Sequence, residues 1–424
     1  MSAGNDHPRS ALAAEQQRLT EERALAAFNS TEVQAAITRV IAHFRADRNA
    51  AYEDQDELIQ QSAREHLFHA CLMAASETPL RPRFVWTLCH DHEWMGMKVP
   101  GSRFGQDNSD NGYRLAYIDG NRRYNITGRF LDAAPVDWSI CVIPAQVGEN
   151  LFADTLGFIG RESVDVAPDG SFQILCDATP TEGRRNHLCV KDGKILNVRD
   201  TLGDWACERP CLLDIEPIDD APQDSFDADR AKTRAAELGE TIARFFLEHL
   251  QHGYFESGPI NSMNTPWSAG SAGGLLTQAS SLGHYGLAQD EAMIITADPM
   301  GAPYVGMQIT DIWMLSYEYR THTSSLNHAQ AKQSGDGLFR WVISGRDPGV
   351  YNWLDGSGQR RGTILLRWQH LPGNVIPGLD KLQTEVVKIS ELKDKLPADT
   401  VWVDSHARRA QQAQRKRDYD KRVE

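Results

Sequence analysis

Residues 343–369 read ISGRDPGVYNWLDGSGQRRGTILLRWQ, with two Trp, two Asp and four Arg set beside apolar, strand-like runs. Ser344 to Gly349 has the composition of a turn, because Asp-Pro favours turn initiation and Gly349 accepts positive φ. Leu354 to Gly358 reads as a second turn, and Tyr351-Asn352-Trp353 between them is too short for a helix. Gly362 to Gln369 then returns as a strand, with Arg367 and Trp368 at its far end. A loop of this kind on a rigid sheet is a usual place for a binding or catalytic site.

The same alternation of short apolar runs and turn formers extends both ways. Ala292–Ile295, Tyr304–Ile309 and Phe339–Ile343 are further strand-like runs, so a β domain is expected over 256–403. Phe84–Leu88, Tyr113–Ile118, Tyr124–Arg129, Trp138–Ile143, Ser163–Val166 and Ser171–Leu175, punctuated by Asp-Gly, Gly-Asn or Pro, predict another over 81–215, an antiparallel sandwich or barrel. Residues 1–80 read as helical: Val33, Ile37, Val40, Ile41 and Phe44 recur at three- and four-residue steps, until Pro79 and Pro82 intervene. Within 216–255 an acidic, Pro-containing linker leads into a connecting helix whose stripe is Ala231, Ala235, Leu238, Ile242, Phe245, Phe246 and Leu250. Residues 404–424 are polar and read as a helix that projects or lies at an interface.

A chain of 424 residues is too long for one ordinary core. With 41% hydrophobic and 24% charged residues it is globular, and a net charge of -14 argues against a general binder of phosphate backbones. A small-molecule substrate or proteins are the expected partners, without nucleic acid. The seven cysteines are odd in number and irregularly spaced, which suits reduced thiols; Cys207 and Cys211 lack the second close pair of a zinc site. The first residues show no basic-then-apolar leader, and no run approaches the ~20 apolar residues that span a bilayer. No membrane contact and a cytoplasmic location are therefore expected.

Asp107-Asn108-Ser109-Asp110-Asn111-Gly112-Tyr113-Arg114, Ile118-Asp119-Gly120 and Arg123 to Arg129 form an ordered series. It continues with Ser324-Ser325-Leu326-Asn327, Gln330, Asp336-Gly337, Ser344, Asp347-Pro348-Gly349, Asn352 to Asp355 and Arg367-Trp368-Gln369. In order and spacing this series resembles a bacterial family that carries the C-terminal domain of unknown function 1214, from about Asp107 to Gln369. The resemblance implies two-part, largely β proteins with sheets of jelly-roll type, and no particular chemistry. The expected fold is thus mainly β with helical additions: two antiparallel jelly-roll-like domains plus N-terminal, connecting and C-terminal helices.

Several residue groups carry possible chemistry. Cys89-His90-Asp91-His92-Glu93 concentrates metal-ligand types, and on a strand His90 and His92 would share a face. A polar loop is the plainer reading of that run. His284-Tyr285 lies among glycines, and His322 follows Tyr317, Tyr319 and Arg320 at the end of an alternating, strand-like stretch; either His suits general acid–base work near neutrality. Ser268 to Gly274 (SAGSAGG) lacks the Lys of a P-loop, and Gly356-Ser357-Gly358 is a turn rather than a nucleophile elbow. Ser325, Asn327 and Gln330, with Asp347, Asn352, Asp355, Arg361 and Arg367, form the remaining cluster. Its structural reading has Asp347 capping its own turn, Arg367 pairing with Asp355 and Asn327 satisfying loop backbone.

Its functional reading names Asp347, Arg367, Tyr319 and His322 as catalytic. Arg367 or Arg361 would hold an oxygen while Asp347 or Tyr319 moves a proton. Asn352, Trp353, Arg361, Asn327, His284 and Tyr285 would bind substrate, and Trp313, Trp341, Trp353 and Trp368 would line an apolar wall for an aromatic or isoprenoid-like molecule. The expected activity is a lyase or hydrolase without cofactor, in a homo-oligomer. The alternatives are a non-enzymatic ligand-binding or assembly protein and a metal enzyme using His90 and His92.

Overall fold

The computed structural model describes residues 10–52, 55–146, 148–149, 154–220, 222, 226–272 and 275–423. The N-terminal leader reading falls largely on residues 1–9, outside this set. The periodic N-terminal stretch is three helices, α1 (Glu15–Phe28), α2 (Thr31–Arg45) and α3 (Asp56–Ser76). Ser30 caps α2 by accepting the Val33 N–H, and Val33, Ala36, Ile37, Val40 and Phe44 bury one face. The connecting helix α4 (Ala228–Phe245) is capped by Asp227 and runs on as a π-helix over Phe246–Phe255.

The fold is mainly β with helical additions. In the first β region the strands Val85–Thr87, Asn111–Tyr117, Ile195–Thr201, Asp137–Ile143 and Gly157–Gly160 form one sheet, in that spatial order. A four-stranded sheet faces it, ordered Leu212–Pro217, Tyr124–Arg129, Ser171–Asp177 and His187–Cys189. Ile126, Ile140, Phe172, Ile174, Leu196 and Val198 fill the space between them. The second region repeats this path strand for strand. Its large sheet runs Ser262–Met263, Gln278–Gly286, Arg361–Gln369, Tyr304–Thr310 and Ser325–Asn327, with Trp267–Ser268 added beside Gln278–Gly286. Its small sheet runs Leu382–Lys388, Glu291–Ala297, Phe339–Ser344 and Trp353–Asp355.

In both regions the last-but-one strand of the chain is central to the large sheet, and all but one pairing is antiparallel. The exception recurs at the same place: Ser171–Asp177 runs parallel to His187–Cys189, and Phe339–Ser344 to Trp353–Asp355. The 343–369 stretch is therefore a crossover between parallel strands followed by a central strand. Two strand expectations fail. Ser163–Val166 lies beyond a 3-10 turn (Arg161–Ser163), and its backbone is bonded by Asn186, which accepts from Asp165 N–H at 2.6 Å. Tyr317–Arg320 is a turn because the Glu318 carboxylate accepts the N–H groups of Arg320 and Thr321 at 2.7 and 3.0 Å.

The helices cover the outer faces of both large sheets. Leu115, Tyr117, Ile143 and Ile195 from the first region and Leu282 and Leu365 from the second share one cluster with Phe44, Leu67, Phe68, Ile242 and Phe246. The polar C-terminal segment is a docked helix, Ser405–Asp420, continued by a 3-10 turn. It inserts an arginine every seventh residue: Arg408, Arg415 and Arg422 are all buried. Seven residues are close to two helical turns, so the three share a face. Arg408 pairs with Asp347 at 3.0 Å; Arg415 donates to Tyr319 O and Ser325 Oγ at 2.5 and 2.6 Å and lies over the Trp205 ring; Arg422 reaches Ser109 O at 3.1 Å. This face bridges the two β regions. Arg415→Ala strands those buried acceptors and is expected to cost about 2–5 kcal/mol. Urea unfolding should show a markedly lower midpoint, whereas exposed Arg409→Ala stays within about 0.5 kcal/mol of the parent.

Candidate functional site

The strand Arg361–Gln369 sends alternate side chains to opposite faces. Ile364, Leu366 and Trp368 enter the second sandwich core, so Arg361, Thr363, Leu365 and Arg367 point toward the helices. On the neighbouring strand His284 stands opposite Thr363 and Gly286 opposite Arg361, which places the imidazole and the guanidinium on the same face. A cavity of about 220 Å³ opens there, lined among others by Arg361, His284, Tyr285, Arg48, Tyr52 and Glu256. Two of the substrate-binding candidates, Arg361 and His284, thus share a face, while the Tyr285 ring between them on the sheet is buried in the second sandwich core. Glycine at 362 is needed for this packing, because a Cβ there would sit 2.3 Å from Thr310 O and 2.8 Å from the Tyr285 ring.

The His284 Nδ1 lies 2.7 Å from the carbonyl oxygen of Phe255, at the end of the π-helix. A carbonyl only accepts, so Nδ1 carries the proton and Nε2 keeps its lone pair in the neutral ring. Arg361 is stacked on Tyr52 at 3.9 Å and has no carboxylate within ion-pair distance among the described residues. On the far wall Glu256 is held down to about 2: burial opposes the shift, but hydrogen bonds from Gln251, Arg48, Asn49 and His252 outweigh it. Arg48 is thereby neutralised by Glu256, at 2.5 Å, while Arg361 is not. Tyr52, Arg48 and Glu256 carry no local motif that would have revealed them.

The remaining candidates are dispersed. Asp347 accepts from Gly349 N–H at 2.9 Å and pairs with Arg408, so it closes its own turn and anchors the C-terminal helix. Asn352 is consumed by the backbone of Lys332 and Arg340, at 2.7 to 2.9 Å. Trp353 is buried, donating to Ser344 O at 3.2 Å with Arg408 over its ring. Asn327 holds the turn after it through Ala329 and Gln330 N–H and donates to Asp110 at 2.9 Å. His322 sits beside Thr321, its Nδ1 3.0 Å from Thr321 Oγ1; Arg367 bonds Gln106 O at 2.7 Å and forms no ion pair with Asp355. The tryptophan wall does not form: Trp341 and Trp368 fill the second sandwich, and Trp313 stacks on Phe44 among the helices.

His90 and His92 do not converge. The strand there begins only at His92, so alternation does not relate them. His90 is buried against Tyr319 and faces Glu318, with burial and then nearby arginines holding its pKa well below the usual value. His92 reaches Glu21 at 3.1 Å and is raised to about 10, because Cys89 and Glu21 outweigh its desolvation. No group of three or more His, Cys, Asp or Glu among the described residues is arranged to hold a metal ion. Cys207 is exposed while Cys211 is buried against Arg114. In the Ser268–Gly274 loop, Ala269–Ala272 makes a 3-10 turn, and 273–274 lie outside the described residues.

Arg367 and Tyr319 instead meet at Asp107, in a buried polar seam between the β regions. Glu65 and Arg103 form an ion pair there at 2.5 Å, both enclosed. Neither Asp107 oxygen has a hydrogen-bond partner among the described residues, nor does Arg367 Nη1. Burial raises the Asp107 acid to about 7, against the lowering effect of Arg103 and Arg367. Because its folded pKa exceeds the unfolded one, its contribution to stability is full below about 4 and is lost as pH rises through 7. Asp107→Asn is expected to raise Tm at pH 8 by several degrees, a gain that shrinks toward pH 4; differential scanning fluorimetry across that range reads it.

Among solved structures, the chain is similar to an uncharacterised protein from Burkholderia cenocepacia, with TM-score 0.69, 25% identity, and coverage of 87% of this chain and all of that one. It also matches, with TM-score 0.42 and 10% identity, the VPA0106 protein from Vibrio parahaemolyticus, over 87% of this chain and 99% of that one. No family model and no curated protein matches the chain. The Burkholderia structure supports the architecture and brings no named activity.

Proposed function

We propose that the protein is an enzyme of the lyase or hydrolase class acting on a small, anionic organic molecule in the His284–Arg361 cavity. Arg361 binds the anionic or developing oxyanion oxygen, and His284 Nε2 takes or returns the proton. The observation that carries this reading is the pairing, in a single cavity, of an oriented imidazole with a guanidinium that has no carboxylate partner among the described residues. At about 220 Å³ the cavity is below the ~300–1,000 Å³ of drug-sized ligand sites, which favours a short carboxylic acid over an aromatic or isoprenoid-like molecule. The chemistry needs no cofactor in this form, since proton transfer and charge stabilisation suffice for either reaction class.

A panel of short hydroxy, keto and unsaturated carboxylates, followed by calorimetry for binding and by product analysis, tests the reading. Arg361→Ala should weaken binding at least tenfold, whereas His284→Asn should leave binding near the parent and reduce turnover roughly 10²–10⁴-fold. Equal binding by Arg361→Ala would move the site elsewhere. Binding that depends on Arg361 without turnover by the parent chain would replace the enzyme with a binding protein.

A further inference from the structure

A second junction of the two β regions repeats the same pair of groups. Asp137 opens a strand of the first large sheet, and His370 directly follows the central strand of the second. Their Oδ1 and Nε2 are 2.8 Å apart. The carboxylate accepts, so Nε2 is protonated and Nδ1 is left for another partner. Asp137 is buried and its Oδ2 has no hydrogen-bond partner among the described residues, while His370 is one-third exposed. His370 adopts φ 54°, in the left-handed region that a non-glycine residue enters only when its surroundings hold it there.

The dyad lines a cavity of about 400 Å³ together with Arg161, Glu162, Arg185 and Pro303. Arg161 lies over the Phe130 ring at 4.5 Å and has no carboxylate within ion-pair distance among the described residues. Arg185 is already engaged by Asp165 and by Glu162 O at 2.9 Å. An oriented imidazole sharing a cavity with a ring-stacked guanidinium that has no carboxylate partner among the described residues is the arrangement already seen at His284 and Arg361, here with a carboxylate in place of the carbonyl.

We propose that this cavity is a second ligand site, for a small molecule bearing an oxyanion group, in which Arg161 takes the anion, the His370 imidazolium donates a hydrogen bond to it from Nδ1 and Asp137 is a positioning residue. The charged groups that line the cavity with His370 are Asp137 and Glu162, whose charges favour its imidazolium, and Arg161 and Arg185. The Asp137 hydrogen bond and charge prevail over desolvation and hold the His370 pKa above its ordinary value. As pH rises through that pKa the site loses the imidazolium charge and keeps only its guanidinium cations, so anion binding is strongest on the acid side.

NMR titration of the histidine ring signals in the full chain tests this, with inorganic sulfate as probe because its charge is constant over the range. The expected result is a His370 pKa above that of a free imidazole, raised further by sulfate but not by chloride at equal ionic strength. Asp137→Asn should lower the His370 pKa in the absence of sulfate. Arg161→Ala should abolish the sulfate response, and Arg361→Ala should keep it, which separates this site from the first. An unchanged titration with sulfate, a matching response to chloride, or a full response in Arg161→Ala would each overturn the proposal.

Discussion

Each sandwich buries its inner faces against each other, yet the larger sheet of each also carries apolar residues on its outside. Leu115, Tyr117, Ile143 and Ile195 on one and Leu282 and Leu365 on the other cannot stay in water without forfeiting about 25 cal/mol per Å² of apolar area. Helices α1 to α4 cover both surfaces in one continuous cluster. That shared cover is the constraint on which the rest depends, because it fixes the relative placement of two regions that are otherwise complete sandwiches. It also brings the 246–255 π-helix and the Arg48–Tyr52 turn against the second sheet, where the His284 cavity forms.

Polar and charged groups fill what the apolar cover leaves between the regions. A buried ion pair stabilises little by itself, since desolvation offsets most of the attraction; it does, however, penalise alternative arrangements in which a charge would lose its partner. Glu65 with Arg103, and Arg114 with Asp200, are enclosed pairs of this type. The arginines of the C-terminal helix extend the same logic across the junction, each meeting backbone carbonyls and, at Trp205 and Tyr419, aromatic faces. Asp107 is an enclosed acid without an ion-pair partner among the described residues, and burial raises its pKa.

The two candidate cavities lie at places where one region meets something outside its own core. In both, an aromatic ring stacks on a guanidinium that has no carboxylate partner among the described residues, and an acceptor fixes one imidazole nitrogen so that the other is available. Such preorganisation matters more for chemistry than the identity of the residues alone.

Period and punctuation in the sequence were enough for the elements that depend on local physics. The three-and-four spacing from Val33 to Phe44 made helix α2, and alternating apolar runs between turn formers made most of the strands, with Ser163–Val166 and Tyr317–Arg320 lost to side-chain-closed turns that compete with pairing. Asp347 and Asn327 could be read as turn-capping residues because those bonds span two or three positions. Arg361 and His284 were nameable as chemically apt residues, but only the pairing of two strands 75 or more positions apart put them on one face. Arg367, Asp347 and the tryptophans looked equally apt and were separated by their distant partners: Gln106 O for Arg367, Arg408 for Asp347 and the apolar cores for Trp313, Trp341 and Trp368. His370 with Asp137, and Asp107 with Arg367, had no local signal at all: their properties come from burial and from partners distant in the chain, which sequence spacing does not encode and tertiary packing alone decides.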